Sequence, residues 1–318
     1  MVGYVIRRVA HGAMVLFVIA LLVYGLEPAL RPENYPGQSY FPLVWHDVQR
    51  ALFHLDFGHT CGWPGCPRIH TLWMRGLAGD LWMLAGGLIL GVVGGVGIGV
   101  WCARRKGTVA ARGVETAASV AFCAPVYVVG LGLLLLFNRD IGVWPVPYVF
   151  DARPQAFVSP AHNPWDWFRS YLVPWLVVAA PLAAGCVRLT ARLTVDELDA
   201  DYVRTAIAKG LGQARVVRRH AARGAYPGVA ALVWGSIPVF VTNVVLVEWV
   251  WNVPGFWFAT RRALDQDPYF PGVDVPMLKA LSLWTALVIV VLSVLADVAL
   301  AMLDPRARLA GGHGTRLP

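Results

Sequence analysis

Six apolar stretches constrain this chain more than any other feature, because each is close to the length that crosses a bilayer. About 20 helical residues cover roughly 30 Å of hydrocarbon. Residues 9–26, 77–102, 114–137, 171–187, 229–247 and 281–303 meet that requirement. Lipid offers no water to an exposed N–H or C=O, so each stretch is expected to be a helix. Pro174 and Pro181 interrupt the fourth, which a packed bundle tolerates when neighbours satisfy the freed carbonyls. Only 14% of the 318 residues are charged and 57% are hydrophobic, against about 25% charged in a typical soluble domain. The expected fold is therefore all-α: a polytopic transmembrane bundle of about six helices. The first stretch follows Arg7 and Arg8 as a secretory signal would, but no small-x-small cleavage site comes after it, so a retained helix is expected.

Orientation follows from Lys and Arg, which favour the cytoplasmic side. With the N-terminus inside, the inner segments hold 16 of the 27 basic residues, on less chain than the outer loops, which hold 10. Both termini are thus expected in the cytoplasm. The net charge of +8 reads as orientation and contact with anionic lipid. No basic groove with interleaved aromatics points to nucleic acid. Trp144, Tyr148, Trp165, Trp167, Tyr171, Trp175, Trp249, Trp251 and Trp257 crowd the span ends, where interfacial anchoring accounts for them; a solute-gripping patch is the alternative.

The inner segment between the fourth and fifth stretches is the most organised part of the surface. Asp196, Glu197, Asp199 and Asp201 form an acidic entry. Residues 202–209 are mostly helix formers, with acids before bases as the helix dipole favours. Gly210 and Gly212 signal a turn, and residues 214–222 read as a second short helix carrying Arg215, Arg218, Arg219 and, just past its end, Arg223. Such a helix-turn-helix knob suits a partner that must be gripped, with Ala206 and Gly210 small enough for close backbone approach. An ordinary basic loop obeying the positive-inside bias is the plainer alternative.

Asp201-Tyr-Val-Arg-Thr-Ala206, then Ala208-Lys-Gly-Leu211 and Arg219-His220, closely resemble the extended EAA loop of the dipeptide/oligopeptide permease family of ATP-binding cassette importers. Other landmarks follow in the family's order. Met1 to Arg8 is similar to the start of the first permease subunit, Leu55-Asp-Phe-Gly58 to its Asp-Leu-Gly element, and Glu248 with Pro254-Gly-Phe256 to its Glu-x-x-Phe-x-x-Pro-Gly step. Leu303-Asp-Pro-Arg306 matches its terminal signature. The resemblance covers essentially the whole chain. Departures are Arg204 in place of the broader family's glutamate, Gly224 where an Asn is usual, Tyr35-Pro-Gly-Gln38 after the first helix, and a Pro- and Trp-rich loop over residues 138–169.

The resemblance implies a type I importer transmembrane domain over residues 77–318, preceded by an N-terminal helix and first outer loop over 1–76. It implies a coupling loop at about 191–227, whose Asp201, Tyr202, Arg204, Thr205, Ala206, Lys209, Gly210, Leu211, Arg219 and His220 engage an ATPase. Implied partners are a second homologous permease, two ATPase domains that use ATP and Mg2+, and an extracytoplasmic solute-binding protein. The implied cargo is a short peptide moved by alternating access; related systems carry nickel chelates or glutathione. A proton- or ion-driven carrier would need intramembrane coupling charges and inverted repeats, and a membrane scaffold would not need the EAA-like loop.

The remaining chemistry is sparse. Asp297 lies inside the sixth stretch, where a carboxylate is costly and marks either a pathway or a packed pair; Glu248 sits at the end of the fifth. Cys61 and Cys66, in Cys-Gly-Trp-Pro-Gly-Cys, suit a local disulfide in an oxidising exterior. Gly86, Gly87, Gly91, Gly94, Gly95, Gly97 and Gly99 permit close helix approach. No G-x-x-x-x-G-K-[ST] phosphate loop occurs, nor any metal-ligand or nucleophile-base pattern, so no catalytic site, metal or cofactor of the chain's own is expected.

Overall fold

The computed structural model describes residues 2–60, 65–136, 160–264 and 273–303, among which there is no β-strand. In chain order the helices are α1 (Val2–Leu30), α2 (Tyr40–His54), α3 (Ile69–Ile89), α4 (Gly95–Arg104), α5 (Val109–Cys123) and α6 (Val126–Leu136). Then come α7 (Pro164–Glu197), α8 (Asp201–Ala208), α9 (Gln213–Val216), α10 (Ala222–Trp251), α11 (Ala259–Leu264) and α12 (Val275–Leu303). Two five-residue π-helical stretches, Leu90–Gly94 and Val217–Ala221, join α3 to α4 and α9 to α10.

Among the described residues five helices are long and apolar enough to cross a membrane: Gly3–Leu30, Ile69–Arg104, Pro164–Glu197, Ala214–Trp251 and Val275–Leu300. They correspond to the first, second, fourth, fifth and sixth apolar stretches; the first four overrun the segment that marks them at both ends, and the last begins before its own. The third stretch departs from expectation. Instead of one helix it forms α5 and α6, bent by 106° at the break. Pro125 causes this: it supplies no N–H and disfavours helical geometry in the residue before it, and Ala124 is extended (φ −73°, ψ 129°). The fourth stretch, prolines included, is the 34-residue α7.

The chain forms two compact units. One comprises residues up to Leu81 together with Asn252–Val294. Here α2 lays an apolar stripe, Val44, Val48 and Ala51, on Ala20 and Tyr24 of α1, with Leu283 of α12 completing the cluster; that i, i+4, i+7 spacing is one helical face. The Tyr40 hydroxyl donates to the Gly25 carbonyl at 3.1 Å.

The other unit comprises, among the described residues, 82–136, 160–251 and 295–303. Among its described residues α7 is central, packing against α4, α5, α6 and α10. Its closest neighbour is a glycine row. A Cβ added at Gly95 would lie 2.6 Å from Cys186 Cβ, and one at Gly99 would lie 2.7 Å from Thr190 Cβ. Gly91 meets Leu182, Gly87 meets Val178, and Gly86 lies under the Trp175 indole, whose Nε1 donates to the Trp82 carbonyl at 2.8 Å. The close approach expected of the glycines holds for these five; Gly94 and Gly97 face open space.

Candidate coupling surface and buried acids

The loop after α7 builds a small apolar core of its own. Val203 and Ala206 of α8 are buried against Val216 and Ala221, with Leu198, Ala200 and Leu211 around them. A second cluster ties this knob to the spans: Val217 and Ala222 pack with Val100 and Ala103 of α4, beside Val195, Leu198 and Tyr226. The close approach that the small Ala206 permits is thus made inside the loop. The second helix is not short either, since α9, the π stretch and α10 run on as one 38-residue helix, Ala214–Trp251.

A tight turn ends α8. The Gly210 N–H bonds the Ile207 carbonyl at 2.9 Å and the Leu211 N–H bonds the Ala206 carbonyl at 3.3 Å. These are the two reversed bonds of a Schellman motif. Gly210 sits at φ +79° with nothing within 4 Å of an added Cβ, so glycine is needed here for its backbone angle rather than to admit a neighbour. Leu211 is half-buried on Ala206, the apolar contact that accompanies such a cap.

The rest of α8 faces outward. Asp201, Tyr202, Arg204, Thr205 and Lys209 are exposed, and the Thr205 hydroxyl donates to the Asp201 carbonyl at 2.9 Å. Ile207, absent from the sequence expectation, is 52% exposed and Tyr202 48%. An apolar side chain at the tip of a charged helix is the signal that would have found Ile207. Arg219 is exposed and His220 half-buried, both on the π stretch. The Tyr202 hydroxyl donates to Glu197 Oε2 at 2.5 Å; partial burial first, and this bond second, push the phenol up to about 12.

The other sequence-derived sites are dispersed. Glu248 in α10 is wholly buried and Asp297 in α12 nearly so. Cys66 carries a free thiol at φ +43°, and Cys61 lies outside the described residues. So do Trp144, Tyr148, most of the 138–169 loop and the Asp304-Pro-Arg306 end of the terminal motif. Tyr171, Trp175, Trp251 and Trp257 are buried, so these four are packing residues, not interfacial anchors. Trp165 is exposed as an anchor would be. Among the described residues no three His, Cys, Asp or Glu side chains gather as metal ligands would.

One buried acid escapes the sequence reading altogether. Asp80 of α3 is fully buried. It accepts the Phe256 backbone N–H at 2.6 Å and the Trp284 Nε1–H at 2.6 Å, one on each carboxylate oxygen. Both of these partners are donors, and the carboxyl accepts from each. Beside it, added Cβ atoms at Gly76 and Gly79 would lie 2.4 Å from Phe256 N and 2.5 Å from the Pro254 carbonyl oxygen. The Gly76, Gly79 and Asp80 face of α3 is thus a fitted seat for the 254–256 turn.

Residues 95–309 match the family described as binding-protein-dependent transport system inner membrane component. The chain belongs to this family. Individual relatives agree over nearly its full length. The oligopeptide transport system permease protein OppB of Mycobacterium bovis is 28% identical over 337 residues, covering 98% of this chain and all of its own. The dipeptide transport system permease protein DppB of Lactococcus lactis is 24% identical over 97% of this chain and 100% of its own. The glutathione transport system permease protein GsiC of Shigella flexneri is 24% identical over 97% and 99%. This inner membrane component is the permease subunit of an ATP-binding cassette importer, with several membrane-crossing helices and, as a class, partners that bind solute and hydrolyse ATP.

Proposed function

We propose that this permease is one half of a heterodimeric channel importing short peptides, completed by a second homologous permease and driven by two ATPase domains below it. An extracytoplasmic solute-binding protein delivers cargo, both termini lie in the cytoplasm, and ATP and Mg2+ are handled by the ATPases. One observation carries the coupling role: α8 is supported by the loop's own core and turns Tyr202, Thr205 and Ile207 outward. In this reading α8 seats in a cleft of the ATPase, with Ile207 in the apolar part and Arg204, Lys209 and Arg219 facing acids. Closure of the ATPase pair on ATP pushes α8. Val216 and Ala221 pass that push to Val217 and Ala222, and so to α4 and the end of α7. The bundle then opens outward, and hydrolysis resets it inward. Asp297 and Glu248 belong to the pathway or to the packing around it.

The test is ATP-dependent uptake of labelled di- to hexapeptides into proteoliposomes holding the full complex, with Ile207→Asp as control. Uptake that needs ATP and collapses in the variant supports the reading. Peptide entry without ATP would sink it. Glutathione is the second cargo to assay, because a glutathione permease aligns over 97% of this chain. Glutathione uptake without peptide uptake would replace the peptide assignment.

A further inference from the structure

Glu197, at the last residue of α7, touches both helices that follow it. Its Oε2 accepts the hydroxyl of Tyr202 in the first turn of α8. Its side chain also lies flat against Gly224 in the first turn of α10: an added Cβ there would meet Glu197 Cδ at 2.5 Å, Oε1 at 2.6 Å and Cγ at 2.7 Å. No β-carbon can share that space, so the carboxylate occupies the volume a side chain at position 224 would take. The connection from α7 to α8 is only three residues, and its turn is closed by the Ala200 N–H on the Glu197 carbonyl at 3.1 Å. The side chain of Glu197 therefore restrains the angle at which α8 leaves α7, and the backbone of α10 restrains Glu197.

We infer that Glu197 is a positioning residue for coupling, joining the end of α7, the start of α8 and the start of α10, with Gly224 as the residue that gives it room. The inference rests on α8 being the helix that meets the ATPase. Under that reading, a push on α8 reaches α7 and α10 through a polar strut as well as through the apolar clusters. The strut is half-exposed, so it can part and re-form in each cycle at little cost, as a single hydrogen bond near water does.

Gly224→Ala tests this without altering either hydrogen-bonding partner. The new methyl evicts the carboxylate, which swings to water, while helix propensity improves. Tyr202→Phe removes the bond but keeps the ring. In proteoliposomes of the full complex, the number of peptides imported per ATP hydrolysed is expected to fall about fivefold in each, the worth of one such bond. The double variant should be no worse than the worse single, since both break one interaction. Glu197→Gln, whose amide oxygen still accepts from Tyr202, should keep most of the ratio. A wild-type ratio in Gly224→Ala and Tyr202→Phe, or additive losses in the double, overturns the inference. Ile207→Asp separates this outcome from failure of the docking reading. If Ile207→Asp abolishes coupling while Gly224→Ala does not, only the strut is wrong. If Ile207→Asp couples normally, α8 is not the docking helix.

Discussion

Asp80 and Glu197 do the same mechanical task in opposite surroundings. Each is a helix carboxylate that holds a turn or a neighbouring helix by accepting hydrogen bonds, and each needs a glycine beside it to make room. Asp80 is fully buried, with both oxygens engaged at 2.6 Å by buried donors. Glu197 is half-buried and holds one hydroxyl. Breaking the first leaves buried polar groups stranded, whereas breaking the second exchanges one partner for water. The difference sorts the fixed joints of this permease from the ones that can move.

The strongest way to break the contrast is Asp80→Ala. It strands the Phe256 N–H and the Trp284 indole N–H, each worth about 1–3 kcal/mol when left unmet, so a loss of about 3 kcal/mol or more is expected in thermal unfolding of the detergent-solubilised protein. Asp80→Asn keeps one acceptor but turns an amide donor on the other N–H, and should recover less than half of the loss. If Asp80→Ala costs no more than Tyr202→Phe, burial does not separate the two joints.

Gly79→Ala is the next largest. Its methyl would stand 2.5 Å from a backbone oxygen, and backbone cannot step aside as the end of Glu197 can. Overpacking of this sort costs about 1–3 kcal/mol. Gly224→Ala, whose clash is with a flexible side chain, should be neutral in the same melt. Equal destabilisation by both would erase the distinction between a rigid and a yielding neighbour.

Legibility from sequence divided along physical lines. Membrane spans are legible because each sums a signal over about 20 residues, and the α7 helix tolerates its two prolines as a packed bundle allows. The α5/α6 break hangs on Pro125 alone, which a window of apolar residues averages away. The loop after α7 is legible as a motif and its Gly210 turn as a breaker, but the inward face of Ala206 depends on Val216 and Ala221 folding back on it. Asp80 carries the same signal as Asp297, an acid inside an apolar stretch, but its role stays hidden because its partners are 176 and 204 residues distant. Glu197 reads only as one of four acids, and Gly224 only as a departure from a pattern. Their meaning lies in the space between them, which sequence does not contain.

Gly210 sharpens the comparison from the moving side. Any side chain at φ +79° is strained by about 1–2 kcal/mol, yet the site is open, so Gly210→Val should loosen the end of α8 without disturbing the spans. Hydrogen exchange is the measurement: faster exchange confined to residues 201–211, with an unchanged melting temperature. A lowered melting temperature would mean that the knob and the spans unfold as one.

The smallest effect belongs to a third carboxylate, Asp56, in the first outer loop. Arg50 bonds it through Nε at 3.1 Å and through a second guanidinium nitrogen, and the Gly58 N–H adds a bond at 3.1 Å. The Arg50 hydrogen bond, followed by the Gly58 amide, holds its carboxyl below the usual range. A depressed acid stabilises the fold above its unfolded pKa, and that contribution fades as pH falls through the lower, folded one. Both side chains are well exposed, 46% and 40%, so screening by water and salt should hold the contribution to about 0.5 kcal/mol or less. Arg50→Ala should therefore leave the melting temperature nearly unchanged at pH 7, and should slightly flatten its decline below pH 4. A loss in Arg50→Ala as large as in Asp80→Ala would show that hydrogen bonding alone, and not burial, sets the strength of these joints.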